Sequence, residues 1–306
     1  MDETGTPEPE RLDHETSSGD APVTEFATGA FELVTVEPRV AILDALATYQ
    51  AENPREPTLG FTELRERAAI EDSGNFSYHL EKLKPACVKR TDEGYSLTWS
   101  GRSLVGVLRA GVGARTTRGP VTLDATCGIC GTELTASYED RLLSVTCANG
   151  HRFPTDDLPP NAVSGRPIDE VITIQTRRTR HHLDLVREGV CPACFATVEL
   201  EYEVLNSPRA AHILIATCGD CGRVSSSTIG SYLLTEPVVV AFYHDHGVDL
   251  TETPFWAVEL TIADPTVHSE EPLRLSLSVE RDGERLTLFV DEHARLLDSD
   301  RTTDPP

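Results

Sequence analysis

Lysine is nearly absent from this 306-residue chain. It occurs at Lys82, Lys84 and Lys89 only, so 24 of the 27 basic residues are arginine. Long apolar runs are missing too. One of the longest, 238–242, has five residues, against the roughly 20 needed to cross a bilayer. This excludes a membrane-spanning helix and leads us to expect a soluble, cytoplasmic protein with no membrane partner. The first thirty residues hold eight acids against the single Arg11, with no basic start leading into an apolar run. They read as a disordered acidic tail rather than a signal peptide. Positive charge is the third deficit. Fifty Asp and Glu outweigh the bases and give a formal net charge of -23, which for the chain as a whole argues against a basic nucleic-acid binder. Scarce lysine with abundant carboxylate points to a halophilic, high-salt cytoplasm, where screening weakens self-repulsion.

The charge is not spread evenly. Residues 1–30 hold 8 acids and 1 base, 31–119 hold 12 and 12, and 120–306 hold 30 and 14. All three lysines fall in the neutral segment. There, 36–49 places Val40, Leu43, Leu46 and Ala47 at helical spacing behind Pro38. Thr62 reads as the N-cap of a short helix carrying Leu64, Ala68 and Ala69, and Glu71-Asp72-Ser73-Gly74 reads as a turn. Residues 75–84 make a helix whose Phe76, Leu80 and Leu83 face a core. The segments 87–90 and 95–98 flank Asp92-Glu93-Gly94 as a hairpin.

Helix, helix, turn, helix, hairpin is the order of a winged helix-turn-helix. The segments Phe61-Thr62-Glu63-Leu64-Arg65, Ser73 through Leu83 and Thr91 through Thr98 resemble the positioning helix, recognition helix and wing of ArsR-type transcriptional regulators. The likeness is greatest to the haloarchaeal type with a C-terminal zinc-ribbon-like region. It covers about 90 residues. Lys84-Pro85-Ala86-Cys87 departs from it, because a proline closes the recognition helix where a glycine-containing turn is usual. The resemblance implies a homodimer on a pseudo-palindromic operator in double-stranded DNA. On that reading Ser73, Asn75, Ser77, Tyr78 and His79 lie where base edges are read, and Lys82, Lys89 and Arg90 meet phosphates. Asn75 is the foremost reader because Asn binds adenine in bidentate fashion. For any one of these residues the alternative is local: Phe76 and Tyr78 as core, Asn75 as a helix cap.

Seven of the eight cysteines have metal-binding spacing. Cys191-Pro192-Ala193-Cys194 and Cys218-Gly219-Asp220-Cys221 are two CxxC pairs separated by 23 residues of strand-like sequence. Each two-residue spacing lets a tight turn aim both thiolates at one ion, so the set reads as a four-cysteine zinc ribbon. Cys127, Cys130 and Cys147 leave one position open, which His151 fills in a site of three cysteines and one histidine unless it is a solvated loop residue. Two structural zinc ions (Zn2+) are expected. Cys87 stands apart, as a small buried residue or a redox sensor. The basic run 177–182 reads foremost as a solvated helix face, with a second phosphate-contacting face or a dimer contact as alternatives. Tyr243-His244-Asp245-His246 reads as structural.

Residues 154–167, with four prolines, read as a linker, and 168–188 as a helix. Strands are expected at 198–204, 213–217, 273–279 and 286–290, with a helix at 238–243. The fold class is α+β, a winged helix-turn-helix followed by strand-rich zinc-ribbon-like modules. Its expected divisions are a 1–30 tail, a 31–119 DNA-binding domain, a 120–160 module with the three-cysteine, one-histidine set, and a 161–306 domain that joins a helix to the four-cysteine ribbon. No phosphate-binding loop, nucleophile elbow or metalloprotease motif is present, so no enzyme is expected. The leading function is a sequence-specific transcriptional regulator. The alternative is a basal or adaptor factor that contacts the transcription machinery, an architecture resembling the archaeal counterpart of the large TFIIE subunit.

Overall fold

The computed structural model describes residues 33, 35–84, 86–111, 113–153, 157–205 and 212–303. The acidic segment 1–30 lies outside them. The chain divides into two compact units, Met1–Arg109 and Ala110–Pro306. The fold is mixed α+β, with helices dominating the first unit and antiparallel sheets the second. No helix among the described residues is long and apolar enough to cross a membrane.

In the first unit, α1 (Glu37–Glu52) starts with a proline in its first turn, where the missing N–H costs nothing, and buries Ile42, Leu43, Ala45 and Leu46. Next, α2 (Phe61–Arg67) begins at Gly60, so Thr62 lies inside the helix rather than capping it. The reason is tertiary. Leu59 pairs with Tyr95 through both backbone groups at 2.9 Å, which fixes where the chain leaves the strand direction. Asp72 then caps α3 (Ser73–Leu83), its carboxylate accepting from the Asn75 backbone N–H. Phe76, Leu80 and Leu83 of α3 are buried as their spacing predicts. Strands β1 (Val88–Thr91) and β2 (Gly94–Leu97) form the expected hairpin, with Val88 opposite Leu97 and Thr91 opposite Gly94.

A helix absent from the sequence reading follows, α4 (Trp99–Arg109). Thr98 Oγ1 accepts from Gly101 N at 3.0 Å, and Arg109 returns a fork of hydrogen bonds to Asp44 and Thr48 on α1. Gly101 is required by close approach, since a Cβ there would lie 2.2 Å from the Cys87 carbonyl oxygen. One continuous core joins α1, α2, α3, the hairpin and Val105 of α4.

Among the described residues the second unit holds three antiparallel sheets. The first is β3 (Arg118–Thr126), β4 (Glu133–Glu139), β5 (Leu142–Cys147) and β6 (Arg152–Phe153). The expected boundary at 119/120 therefore falls inside β3. Residues 157–163 are packed, not a free linker, while 164–167 are exposed: α5 (Pro160–Val163) buries Pro160 and Val163, and Tyr138 donates its hydroxyl to Leu158 O at 2.9 Å. Prolines stiffen this segment against the sheet, and composition alone reads the same residues as a spacer.

Helix α6 (Ile168–Arg187) serves two cores. Its first turns put Ile168, Val171 and Ile172 among Leu134, Tyr138 and Val145 of the first sheet. Its last turns put Leu183 and Val186 into a second core. That core includes strands β7 (Val198–Val204), β8 (His212–Cys218) and β9 (Gly222–Thr228), a short α7 (Ile229–Tyr232) and α8 (Pro237–Asp245). The third sheet, β10 (Thr266–Glu270), β11 (Leu273–Arg281), β12 (Glu284–Val290) and β13 (Leu296–Thr303), covers the same core with its central strands. Its edge strands were not expected, because β10 and β13 are exposed along nearly their whole length and lack an apolar alternation.

Candidate functional site

The first cysteine cluster forms at one end of the β4–β5 ladder. Leu134 pairs with Cys147, bringing the turn before β4 beside the end of β5. In that turn Cys127 N donates to Thr132 O and Gly131 N to Cys127 O, both at 2.8 Å. Across from it, Cys147 O accepts from Gly150 N, and Cys147 N donates to His151 O. These bonds bend His151 back, so that its Nδ1 is 3.4 Å from Sγ of both Cys127 and Cys147. Cys130 and Cys147 Sγ are 3.7 Å apart. The structure therefore brings His151 to the three cysteines rather than leaving it in a solvated loop.

The second cluster repeats the arrangement on β7 and β8. Val198 pairs with Cys218, so the Cys191–Cys194 and Cys218–Cys221 turns share one end of the sheet. Sγ separations are 3.5 Å for Cys191–Cys221, 3.5 Å for Cys194–Cys218 and 3.7 Å for Cys194–Cys221. Cys191 and Cys218 are buried and their partners exposed. In each cluster all four ligand atoms lie within 4.8 Å of one another, and each can hold a metal ion. All eight cysteines are free, and these separations far exceed the ~2.05 Å of a disulfide. They approach instead the edge of about 3.8 Å that tetrahedral bonds of roughly 2.3 Å require.

The electrostatics also suit a cation. Thr132 supports a thiolate at Cys130, first through its hydroxyl at 3.1 Å and then through its backbone N–H, pulling the thiol down to about 5. This hydroxyl was not singled out from the sequence, although it stands two residues from Cys130. Burial works against ionisation of Cys191, but backbone N–H donors at Cys194 and Ala193 outweigh it and bring the thiol down to about 7. The Cys191, Cys194 and Cys218 sulfurs in turn push Cys221 well above its ordinary value. Crowded thiolates repel, and a bound cation relieves that repulsion.

A third group, Asp291-Glu292-His293, also gathers possible ligand atoms. Asp291 Oδ1, however, already accepts from the backbone N–H of His293 and of Arg295. This carboxylate shapes its own turn.

The candidate DNA contacts divide by exposure. Ser73, Asn75 and Lys82 of α3 and Lys89 and Arg90 of β1 are exposed, and Ser77 is half-buried. Tyr78 is 55% exposed, not core, and its ring lies 5.8 Å from Lys82 Nζ on the same helix face. Asn75 is not the cap, since Asp72 supplies that bond. His79 corrects the expectation of a base reader. It is only 8% exposed, and burial, then Arg39, lower its pKa. One helical turn carries both Tyr78 and His79, and only the former points outward. Cys87 is buried, its thiol is pushed up by burial, and it belongs to neither cluster.

The family model described as a domain of unknown function, DUF7351, matches residues 124–296. The chain belongs to that family. The DUF7351 match takes in both cysteine clusters, α6 and most of the third sheet. A second family model, again described as a domain of unknown function (DUF7347), matches residues 27–108. No curated protein and no solved structure matches the chain.

Proposed function

We propose that this DUF7351 protein is a sequence-specific, DNA-binding transcriptional regulator, in which residues 35–109 act as a winged helix-turn-helix and the two clusters hold structural zinc. The observation that carries the reading is the sidedness of α3. Phe76, Leu80 and Leu83 anchor it, while Ser73, Asn75, Tyr78 and Lys82 are left outward, and the neighbouring hairpin exposes Lys89 and Arg90. A helix held from behind by apolar contacts and carrying polar, aromatic and cationic groups in front suits a major groove, with the hairpin cations beside the phosphates. Homodimerisation has support in α4, which leaves Val107 and Leu108 exposed.

One set of three cysteines and a histidine and one of four cysteines, in this geometry, suit zinc in closed, four-coordinate sites, which leave no position for an activated water. The zinc would support folding rather than catalysis. Few basic groups on the outward face imply a shallow salt slope, about -0.9 per neutralised phosphate.

Genome-wide footprinting in molar salt, with Asn75→Ala alongside, tests the reading. Protection of discrete operators, weakened about tenfold or more by the substitution, is expected, since a bidentate base contact carries about 1–3 kcal/mol of discrimination. Occupancy at nearly every promoter would instead favour the adaptor role, in which the acidic zinc-bearing unit contacts the transcription machinery. Protection of no site would sink both.

A further inference from the structure

The two cysteine clusters differ in what covers them. In the first, Cys127 and Cys147 are buried in a core that also takes in Phe153 and Trp256, and Cys130 is half-buried with the Thr132 hydroxyl on its sulfur at 3.1 Å. In the second, Cys191 and Cys218 are buried but Cys194 and Cys221 are exposed. The turns account for this split. The leading cysteine of each CxxC joins the core with Val198, Leu214 and Ala216. The trailing one stands at the far end of its turn, just before the chain swings through a left-handed residue, Phe195 at φ 64° and Gly222 at φ 94°.

Cys194 and Cys221 are also neighbours, with their Sγ atoms 3.7 Å apart. No other two cysteines of the chain are both exposed. Oxidation of cysteine follows thiolate character and access, and a sulfenic acid with a second thiol beside it closes to a disulfide. The first cluster lacks an exposed pair, and its fourth ligand atom is a histidine nitrogen, which cannot enter a disulfide.

We propose that the second cluster is a peroxide-sensitive switch, in which Cys194 and Cys221 oxidise to a disulfide and release the metal while the first cluster keeps its own. This rests on the zinc reading above. One of the two thiolates attacks a peroxide oxygen, the O–O bond breaks, and the hydroxide that leaves takes a proton to become water. The other thiolate attacks the sulfenic sulfur so formed, making the S–S bond and breaking S–O, and the second hydroxide is likewise protonated to water. Two electrons pass from the sulfurs to the peroxide. Cys191 and Cys218 remain, two ligands where a closed site needs four. They lie in the core that β7–β9 share with the last turns of α6, so loss of the ion loosens those strands.

The test treats the zinc-loaded full chain in molar KCl with hydrogen peroxide. Zinc is followed by elemental analysis and a chromophoric chelator, and thiols by N-ethylmaleimide blocking and tandem mass spectrometry. One of two ions should leave each chain as a Cys194–Cys221 disulfide forms, with Cys127, Cys130 and Cys147 still reduced. Hydrogen-exchange protection of β7–β9 should fall at least tenfold and that of β3–β6 hold, and dithiothreitol with added zinc should restore the parent state. Cys221→His keeps four ligands, three cysteines and a histidine as in the first cluster, and should release zinc at least tenfold more slowly. Where that variant does not load, the parent's release and mapping decide by themselves. The proposal is overturned if peroxide releases neither ion or both together, if the disulfide joins other cysteines, if β7–β9 keep their protection, or if loaded Cys221→His releases zinc as the parent does. Fewer than two zinc ions per chain before oxidation would sink the zinc reading and the switch with it, whereas two ions without selective release would sink the switch alone.

Discussion

The two compact units solve the same problem with different means. In the first, apolar side chains from α1 to α4 and from the hairpin meet in one core, and its only cysteine is a buried thiol that belongs to no metal-ligand set. In the second, buried sulfurs belong to the cores themselves. Cys127 and Cys147 lie among Leu134, Val145 and Trp256, and Cys191 and Cys218 among Val198, Leu214 and Ala216. Apolar burial needs no counter-ion, whereas clustered thiolates within a core are tolerable only with a cation beside them. Stability of the first unit is therefore expected to depend on packing, and of the second on metal.

Chelation provides the largest test of that contrast. Structural zinc contributes on the order of 10–16 kcal/mol in zinc-finger peptides, which rivals the whole stability of a typical domain, about 5–15 kcal/mol. EDTA should therefore collapse hydrogen-exchange protection across residues 113–303 and leave that of 35–109 in place. Full protection of both units, with the metal shown to be gone by elemental analysis, would falsify the assignment.

Packing in the first unit is probed by Gly101→Val. The new side chain would drive α4 off the Cys87 carbonyl oxygen, and overpacking of this kind costs about 3 kcal/mol. Urea unfolding should show the loss in the first unit, with the exchange protection of the second unchanged. A substitution that is neutral would mean that α4 can shift freely and that the close approach is not a constraint.

The smallest effect is acid sensitivity at His79. Its pKa in the fold is lowered from 6.5, so the folded unit favours the neutral ring. The stabilising contribution is therefore complete above about pH 6.5 and is lost as pH falls through the lower folded value. Calorimetric melting of the first unit should shift downward between pH 7 and pH 5, and His79→Gln should flatten that slope. A variant with the parent's slope would assign the acid sensitivity to other groups.

Much of this was legible because the governing rules are local. A CxxC spacing forms its own turn, and alternation at 198–204 specifies which side of a strand is wet. A period of 3.6 puts Phe76, Leu80 and Leu83 on one face. Legibility failed where a distant partner decides. The start of α2 depends on Leu59 pairing with Tyr95, and α4 depends on Arg109 reaching back to Asp44. The apparent linker 154–167 includes residues that dock under Tyr138. The first and last of these segments carry no periodic signal of their own, whereas α4 has Leu104, Val105 and Leu108 at helical spacing.

The sequence by itself determined the mixed α+β class, the neutral lysine-bearing segment within an acidic chain, and the cysteines of both ligand sets, because composition and short spacings carry that information. His151 joins the first set only through the turn that sets its Nδ1 3.4 Å from Cys127 and Cys147. Only the tertiary structure decided that His79 turns inward while Tyr78 turns out, that α6 joins two sheets, and that Arg180 is buried with two guanidinium nitrogens unpartnered. Burial belongs to no residue alone. It is set by what packs against that residue, and such a partner can lie far along the chain, as Thr253 does at seventy-three positions from Arg180.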